Sequence, residues 1–186
     1  MNTRERGRPR RSSPHELEDA ATELFLEQGF HNTTADDIAT RAGISRATFF
    51  NYFPLKSDVL WVGVDAVLAQ WRHAIDSGQR CGPALFALLA DVSPDRVPLI
   101  ATHREAMGIH DELSSGAGTR LLQVHSILEA ADIRSEDSWL VTAALVNASL
   151  EFANAPAPRA PLSESVREEL ERIRGVISRD TAEKLF

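Results

Sequence analysis

The sequence has almost no cysteine and no apolar run long enough to cross a membrane. Its 186 residues include a single cysteine, Cys81, which excludes an intramolecular disulfide and a cysteine-based zinc site. The first 19 residues contain no apolar segment of the kind that directs secretion. The longest strongly apolar stretch, residues 139–150, is interrupted by polar side chains and is too short for a bilayer. We therefore expect a cytoplasmic protein with no membrane partner.

The sequence also lacks the patterns that predict β-structure. It contains no Asn-Gly or Asp-Gly turn, no strand-length alternation of apolar and polar residues, and no internal repeat. Apolar residues instead recur at helical spacing, which predicts an all-α protein of about nine helices. The first predicted helix begins at the capping box of residues 13–16 and stops at Gly29. The others cover about residues 34–42, 46–53, 57–77, 84–90, 113–131, 136–154 and 163–179, with one more starting near residue 94.

Charge is unevenly distributed along the chain, whose formal net charge is −7. Residues 1–56 carry eight basic and eight acidic side chains, so residues 57–186 hold the whole negative excess. Within the neutral part, residues 1–11 contain five arginines and one glutamate. A basic arm of this kind follows DNA phosphates or enters a minor groove, and the alternative is a solvated tail. We expect Arg8 and Arg10 of this arm to contact DNA.

The strongest functional signal lies in residues 33–53, where Ala42-Gly43-Ile44-Ser45 joins two short predicted helices. The glycine can adopt a positive φ and the small alanine lets the helices cross closely, as in a helix-turn-helix. The second helix of that motif enters the major groove of DNA. Three of its side chains are expected to pack inward: Ala47, Phe50 and Phe53. The expected outward set is Arg46, Thr48, Asn51 and Tyr52.

The outward residue types suit DNA recognition. Arginine pairs with guanine, asparagine pairs with adenine, and hydroxyl groups bind phosphates. The alternative is a helical pair that packs against the rest of the protein and binds nothing. The basic arm and the outward polar set occur together, and this combination favours DNA binding.

Residues 14–60 resemble the TetR family of transcriptional regulators. The resemblance is carried by Lys56 and by three motifs in order: AATELFLEQGF at 20–30, TTADDIA at 33–39 and AGISRATFFNYFP at 42–54. It implies three N-terminal helices that bind DNA, a fourth that links them to a ligand-sensing core, and two last helices that form a dimer. The implied domains are a basic arm (1–12), a helix-turn-helix domain (13–56) and a helical ligand-sensing and dimerisation domain (57–186).

Carried over residue by residue, the resemblance assigns two kinds of DNA contact. The positions that match phosphate contacts are Thr34, Thr48, Tyr52 and Lys56. The positions that match base contacts are Arg46, Ala47 and Asn51. Leu55 departs from the family, which usually has a Ser or Asn cap at that position. The fourth helix is therefore expected to start less firmly or to use Ser57 as its cap.

A mostly apolar group of residues is a candidate lining for a small-molecule pocket between the core helices. These residues are Trp61, Trp71, Phe86, His103, Met107, Leu122 and His125. For each of them the alternative is an ordinary place in the helical core. Apolar walls in an acidic body favour a lipophilic or cationic ligand. His103 and His110 are seven residues apart, but no convergent set of ligands accompanies them, so we expect no metal and no cofactor.

The predicted helix over residues 136–154 is apolar on more faces than a monomer of this size requires, and the helix over 163–179 adds an apolar stripe. We expect a homodimer through about residues 136–179, with Trp139, Leu145, Phe152, Leu170, Ile173 and Ile177 in the interface. Together with the resemblance, this predicts a sequence-specific repressor that a small lipophilic ligand releases from a near-palindromic site in double-stranded DNA. No catalytic motif stands out, so we do not expect an enzyme. The alternative is a helical interaction protein or small enzyme that uses the same scaffold without sequence-specific DNA binding.

Overall fold

The computed structural model describes residues 13–92, 103–156 and 158–186, and every regular element in these ranges is helical. The all-α prediction is confirmed, with ten α-helices in the described ranges where about nine were expected for the chain. The elements are α1 (Pro14–Gln28), α2 (Ala35–Arg41), α3 (Arg46–Tyr52), a 3₁₀ helix (Lys56–Trp61), α4 (Val62–Asp76), α5 (Cys81–Ala90), α6 (Arg104–Met107), α7 (His110–Ala130), α8 (Ser135–Asn154), α9 (Leu162–Ile173) and α10 (Arg179–Leu185). The basic arm with Arg8 and Arg10, and the start of the helix expected near residue 94, lie outside the described residues.

The start of α1 shows how local sequence sets these boundaries. Ser13 Oγ accepts a hydrogen bond from the Glu16 N–H at 3.2 Å, and the Glu16 carboxylate accepts one from the Ser13 N–H at 2.8 Å. Pro14 occupies the first helical position, where its missing N–H costs no hydrogen bond. Gly29 ends the helix with a φ of +81°. The predicted apolar stripe is buried: Leu17, Ala20, Ala21, Leu24 and Phe25.

The single long helix expected over residues 57–77 is divided in two. A 3₁₀ helix precedes α4, which begins only at Val62. Leu55 offers no side-chain cap, and its N–H donates instead to Asp58 Oδ2 at 2.9 Å. The tighter 3₁₀ turn accompanies the burial of two consecutive apolar side chains, Val59 and Leu60, in the same core.

The helix expected over residues 163–179 also ends early, at Ile173. Asp137 of α8 accounts for the break, because its Oδ2 accepts hydrogen bonds from the hydroxyls of Ser178 at 2.6 Å and Thr181 at 2.7 Å. Burial alone would raise the pKa of Asp137, but these hydrogen bonds outweigh it and lower the pKa. Ser178 also caps α10, since its Oγ accepts from the Thr181 N–H at 3.2 Å. The polar bonds to α8 thus redirect the chain into a separate short helix.

Two apolar cores organise the fold. The first, called the N-terminal core below, contains residues of α1, α2, α3 and the 3₁₀ helix, and the second is built mainly from α4, α5 and α7–α10. Val62, Met107 and Ile109 also enter the N-terminal core, which therefore extends past the domain boundary expected at residue 56. The Phe30 N–H donates to the Met107 carbonyl at 2.9 Å and ties α6 to the turn after α1. A segment from the middle of the chain thus completes the N-terminal domain.

The second core surrounds Trp71, whose indole N–H donates to the Cys81 carbonyl at 3.1 Å. Cys81 is buried, and desolvation raises the pKa of its thiol to about 12, so the thiolate does not form at neutral pH. At Gly82, α5 and α10 approach so closely that a β-carbon would overlap the Leu185 carbonyl. This crossing therefore requires a residue without a side chain.

Replacing Gly82 with alanine should destabilise the protein by about 1–3 kcal/mol, because the new methyl group forces α10 away from α5. Gly118→Ala is the matched control, since Gly118 lies inside α7 with open space where its β-carbon would be. That control should stabilise the protein by about 0.5–1 kcal/mol, because alanine loses less conformational entropy in a helix. Urea unfolding followed by circular dichroism measures both changes, and equal midpoints for the two variants would contradict the close packing at Gly82.

Candidate nucleic-acid interface

Side-chain caps and one glycine turn set the angle between α2 and α3. Thr34 caps α2 by accepting a hydrogen bond from the Asp37 N–H at 3.1 Å. After α2, Gly43 has a φ of +71°, and the Ile44 N–H donates to the Ala39 carbonyl at 2.9 Å. Ser45 then caps α3 by accepting from the backbone N–H three residues later at 3.1 Å. The helix-turn-helix is therefore formed at the predicted residues.

The inner face of α3 differs from the expected one. Phe49 is fully buried and Phe53 is nearly so, with their ring centroids 5.4 Å apart. Phe50 is 39% exposed and Ala47 is also exposed, so the expectation that these two pack inward is wrong. Phe49 and Phe53 are four residues apart and share one face of the helix, whereas Phe50 is rotated away from it.

The outer face of α3 presents the predicted polar residues. Arg46, Asn51 and Tyr52 are exposed, and Thr48 is half-buried. Arg46 is held from two sides: its guanidinium carbon lies 5.4 Å from the Phe50 ring centroid, and Nη1 lies 3.5 Å from Oδ2 of Asp36 on α2. The contact between Phe50 and Arg46 was not predicted from the sequence. Their spacing of four residues, which brings side chains together on a helix, is the signal that could have indicated it.

Thr34 and Asp37 cap each other reciprocally at the start of α2. Besides the cap described above, the Thr34 hydroxyl donates to Asp37 Oδ2 at 2.7 Å, and the Thr34 N–H donates to the same oxygen at 2.8 Å. These hydrogen bonds hold the pKa of the Asp37 carboxyl below its usual range, and the bond from the Thr34 hydroxyl contributes more than the bond from the Thr34 N–H. The reciprocal hydrogen bonds fix the first turn of α2, and because Thr34 is exposed, this turn is also open to solvent.

Lys56 faces the turn between α1 and α2. Its Nζ donates to the carbonyls of Phe30 and Thr33, both at 2.7 Å, and lies 3.7 Å from the Phe30 ring centroid. Burial lowers the pKa of Lys56, and the charge of Glu112 on α7 partly opposes that shift. The structure thus places the Lys56 ammonium group on the carbonyls of the turn that immediately precedes the predicted phosphate contact Thr34.

Arg41 braces α2 against α1. Its guanidinium donates to both carboxylate oxygens of Glu27, at 3.0 and 2.7 Å, and to Glu23 at 3.1 Å. These hydrogen bonds raise the pKa of Arg41 and lower that of Glu27. Sequence reasoning missed this brace, although the two glutamates stand four residues apart on one face of α1.

The residues predicted to line a ligand pocket lie in several places. Met107 is buried in the N-terminal core, whereas Trp71 is buried in the second core. His103 and Leu122 are exposed. Phe86 lies under the Arg167 guanidinium, whose carbon is 4.4 Å from the ring centroid.

Of the two remaining pocket candidates, Trp61 packs against a charged side chain and His125 against an aromatic ring. Trp61 lies under Arg120 at 4.9 Å, and Arg120 binds both carboxylate oxygens of Asp65, at 2.9 and 2.7 Å. His125 stacks on Trp139 with ring centroids 3.9 Å apart. The structure therefore does not bring the predicted residues together around one cavity.

A groove of about 460 Å³ runs between α4 and α7. Leu122 lines it together with the apolar side chains of Leu68 and Ile127. Asp65 and Arg72 add one charge of each sign to its walls. The groove is thus amphipathic, and Leu122 is the member of the predicted pocket set that lines it.

The residues predicted for a dimer interface divide into a buried and an exposed set. Phe152, Leu170 and Ile177 are buried inside the protomer, and Leu145 and Ile173 are partly buried. Trp139 is 48% exposed. It begins an outward stripe of α8 at helical spacing: Trp139, Ala143, Val146 and Leu150. The sequence could not separate this stripe from the inward one, because α8 is apolar on both faces.

Within residues 13–92, 103–156 and 158–186, no three His, Cys, Asp or Glu side chains are grouped so as to hold a metal ion. His103 immediately precedes α6, and His110 is the first residue of α7. In the same part of the chain, no helix is both long and apolar enough to cross a membrane.

Comparison with known proteins gives a family match over this interface. Residues 17–60 match the model of the bacterial regulatory proteins of the tetR family. Over 71 residues the chain is 41% identical to the putative mycofactocin biosynthesis transcriptional regulator MftR of Mycobacterium tuberculosis, covering 38% of this chain and 36% of that protein. Over 139 residues it is 30% identical to the HTH-type transcriptional regulator EthR of Mycolicibacterium smegmatis, covering 73% of this chain and 60% of that protein. Proteins of this family are transcriptional regulators rather than enzymes.

A solved structure extends the likeness to the whole fold. FadR of Thermus thermophilus, a TetR-family transcriptional repressor in complex with lauroyl-CoA, superposes with a TM-score of 0.53. The match covers 90% of this chain and 96% of that chain at 24% sequence identity, which shows a common fold. The curated matches are shorter: the chain spans 36% of MftR and 45% of the regulator HbdR of Aromatoleum.

Thr34→Val should lower the stability of the protein by about 1 kcal/mol, because valine keeps the shape of the side chain but loses the capping oxygen. Thr40→Val, at an exposed position of the same helix, is the control and should stay within about 0.5 kcal/mol of the wild type. Because the pKa of Asp37 is lower in the folded protein than in the unfolded chain, ionised Asp37 stabilises the fold above about pH 4, the ordinary pKa of a carboxyl group. This contribution is lost as the pH falls through the pKa that Asp37 has in the folded protein. Urea unfolding at neutral and acidic pH should show the Thr34→Val deficit shrinking below about pH 4. A deficit that is absent at neutral pH would contradict the cap.

Proposed function

Because the chain belongs to the TetR family of bacterial regulatory proteins, we propose that it binds double-stranded DNA with α3 in the major groove and regulates transcription. The outer face of α3 carries this proposal: Arg46, Asn51 and Tyr52 are exposed together, while Phe49 and Phe53 anchor the opposite face. The major groove is about 12 Å wide and admits one helix with its side chains.

Base reading is assigned to Arg46, Ala47 and Asn51. A guanidinium can donate two hydrogen bonds to guanine, a carboxamide can pair with both edge atoms of adenine, and a methyl side chain can contact thymine. Arg46 is exposed, and its contacts with the Phe50 ring and Asp36 lie at the surface, so the guanidinium can exchange the carboxylate for a base at little cost.

Phosphate binding is assigned to Thr34, Thr48 and Tyr52, with Arg8 and Arg10 of the arm as further contacts. Thr34 lies at the exposed start of α2, where helix N–H groups favour an anion. Thr48 and Tyr52 lie four residues apart on α3 and flank the base-reading positions. Arg8 and Arg10 belong to residues 1–11, where five arginines stand against one glutamate, and phosphates attract such an excess of positive charge.

The proposed unit is a homodimer on a near-palindromic site. One recognition helix reads few base pairs, and a genome offers about 10⁶–10⁹ competing sites, so two-fold symmetry is needed to select one. The outward stripe of α8 supports such an interface, because Leu150 is 56% exposed and shares a face with Trp139. An apolar helix face of this kind is stabilised by a second copy of itself.

The proposed regulator is a repressor that a small lipophilic effector releases from DNA. The groove between α4 and α7 supports this assignment best, because its volume of about 460 Å³ suits a small molecule and its walls are largely apolar. The effector must bind more tightly to the arrangement that does not fit DNA. Since α7 continues from Ile109 in the N-terminal core, movement of α7 against α4 reaches the helix-turn-helix directly.

Asn51→Ala should relax the base preference at one or two positions, with about 1–3 kcal/mol of discrimination lost per bidentate contact. Tyr52→Phe should weaken binding to all sequences alike, because a phosphate contact carries no sequence information. Duplexes selected from a random library define the preferred site, and titrations of selected and random duplexes measure both effects. Equal losses on the two duplexes for Asn51→Ala would contradict base reading, and a wild type that selects no sequence would favour the interaction-protein alternative.

Trp139→Arg combined with Leu150→Arg should convert the dimer into a monomer, because both substitutions place charge on the outward stripe of α8. Light scattering should give twice the 20.5 kDa protomer mass for the wild type and the protomer mass for the variant. Leu26→Arg, at an exposed leucine of α1, is the control and should leave the mass unchanged. A wild type that is monomeric at micromolar concentration would overturn the dimer proposal.

A further inference from the structure

Lys56 is one of only two lysines in the chain, and its ammonium group is already engaged within the protein. Two of its three N–H donors reach the carbonyls of Phe30 and Thr33 at 2.7 Å. The Phe30 ring covers the same group, with its centroid 3.7 Å from Nζ. Two short charge-assisted hydrogen bonds and a cation–π contact make a specific site for a lysine side chain.

The two carbonyls belong to the turn that presents Thr34. Thr33 is buried, and its hydroxyl donates to the Gly29 carbonyl at 2.8 Å. Its N–H donates to the Phe30 carbonyl at 3.1 Å, and the Phe30 N–H in turn donates to Met107. The turn is thus fixed by its own hydrogen bonds and by the one to Met107 of α6. Lys56 adds hydrogen bonds to two of its carbonyls. Thr34, the next residue, begins α2.

We propose that Lys56 is a positioning residue for DNA binding, one that clamps the Phe30 and Thr33 carbonyls and so fixes Thr34 and the first turn of α2, without itself contacting a phosphate. The proposal rests on the proposed DNA-binding function and replaces the phosphate contact that the family resemblance implies for this lysine. Glu112 supports the assignment, because its carboxylate lies close enough to act on the Lys56 charge from α7. A cation that is balanced inside the protein releases few counterions from DNA.

The salt dependence of DNA binding separates positioning from direct contact. Each phosphate that a lysine neutralises contributes about 0.9 to the slope of log K against log salt concentration. A random-sequence duplex of 30 base pairs serves as the probe, because phosphate contacts do not depend on sequence. Lys56→Met keeps the alkyl part of the side chain and removes the ammonium group. Lys184→Met is the control, since Lys184 binds Asp132 and Asp180 and lies outside the helix-turn-helix.

Lys56→Met should bind the duplex about tenfold more weakly at every salt concentration, with the slope of the wild type. Its melting temperature should fall by about 3–6 °C, because the variant loses the two partly buried hydrogen bonds from Lys56 to the turn. Lys184→Met should keep the affinity and the slope of the wild type. A slope smaller by about 0.9 at an unchanged melting temperature would overturn the proposal, and so would wild-type affinity in the Lys56 variant.

A second measurement follows the folded wild type itself, and the variants serve only to assign its signals. Protein labelled with ¹⁵N-lysine gives two ammonium signals, which the two methionine variants assign. The Lys56 signal should be present in the free protein and stay in place when the duplex is added. A Lys56 signal that shifts or sharpens only with DNA would identify a phosphate contact. A wild type that binds no duplex at low salt would instead remove the proposed function itself.

Discussion

Burial of Met107 and Ile109 in the N-terminal core is the constraint on which the rest of the structure depends. A three-helix unit of this size is marginally stable by itself, because the buried fraction falls as a chain becomes smaller. Met107 at the end of α6 and Ile109 just after it add apolar side chains to this core, and the hydrogen bond from the Phe30 N–H to the Met107 carbonyl fixes their position. The helix-turn-helix is therefore one folded unit with the start of α7. It cannot tilt relative to α7 without exposing fully buried side chains.

The two arginines of α2 and α3 are held by ion pairs of different strength. Arg41 is bound by Glu23 and Glu27, and its role is to hold α2 on α1. Arg46 is different, because its ion pair with Asp36 joins side chains that are 65% and 59% exposed. Surface pairs of that kind contribute only about 0–1 kcal/mol, so the guanidinium can leave the carboxylate at little cost when a better acceptor arrives. Arg41 is thus committed to supporting α2, whereas Arg46 is the guanidinium that the proposed base contact can use.

The sequence predicts the helix-turn-helix closely, and the reasons are local. Capping residues such as Ser13 and Thr34 act within one helical turn, so their effect is visible in a short stretch of sequence. The expected inner face of α3 is correct for Phe53 and wrong for Phe50, because the phenylalanines are chemically alike and only the packing of the helices decides which rings are buried. Contacts between residues far apart in the chain cannot be predicted from spacing. Two examples are the hydrogen bonds from Lys56 to the carbonyls of the turn and the hydrogen bond from Ser178 to Asp137.

The contacts around α7 limit how an effector could act on DNA binding. Arg120 of α7 holds Asp65 of α4 with two hydrogen bonds and lies 3.8 Å from Asp58 of the 3₁₀ helix. Asp65 of this pair also lines the groove between α4 and α7. A ligand that spreads the groove must therefore strain or break this charged pair, which is partly buried and costly to leave unsatisfied. Release from DNA then requires the ligand to prefer the spread arrangement by more than that cost, because only differential affinity moves a conformational equilibrium.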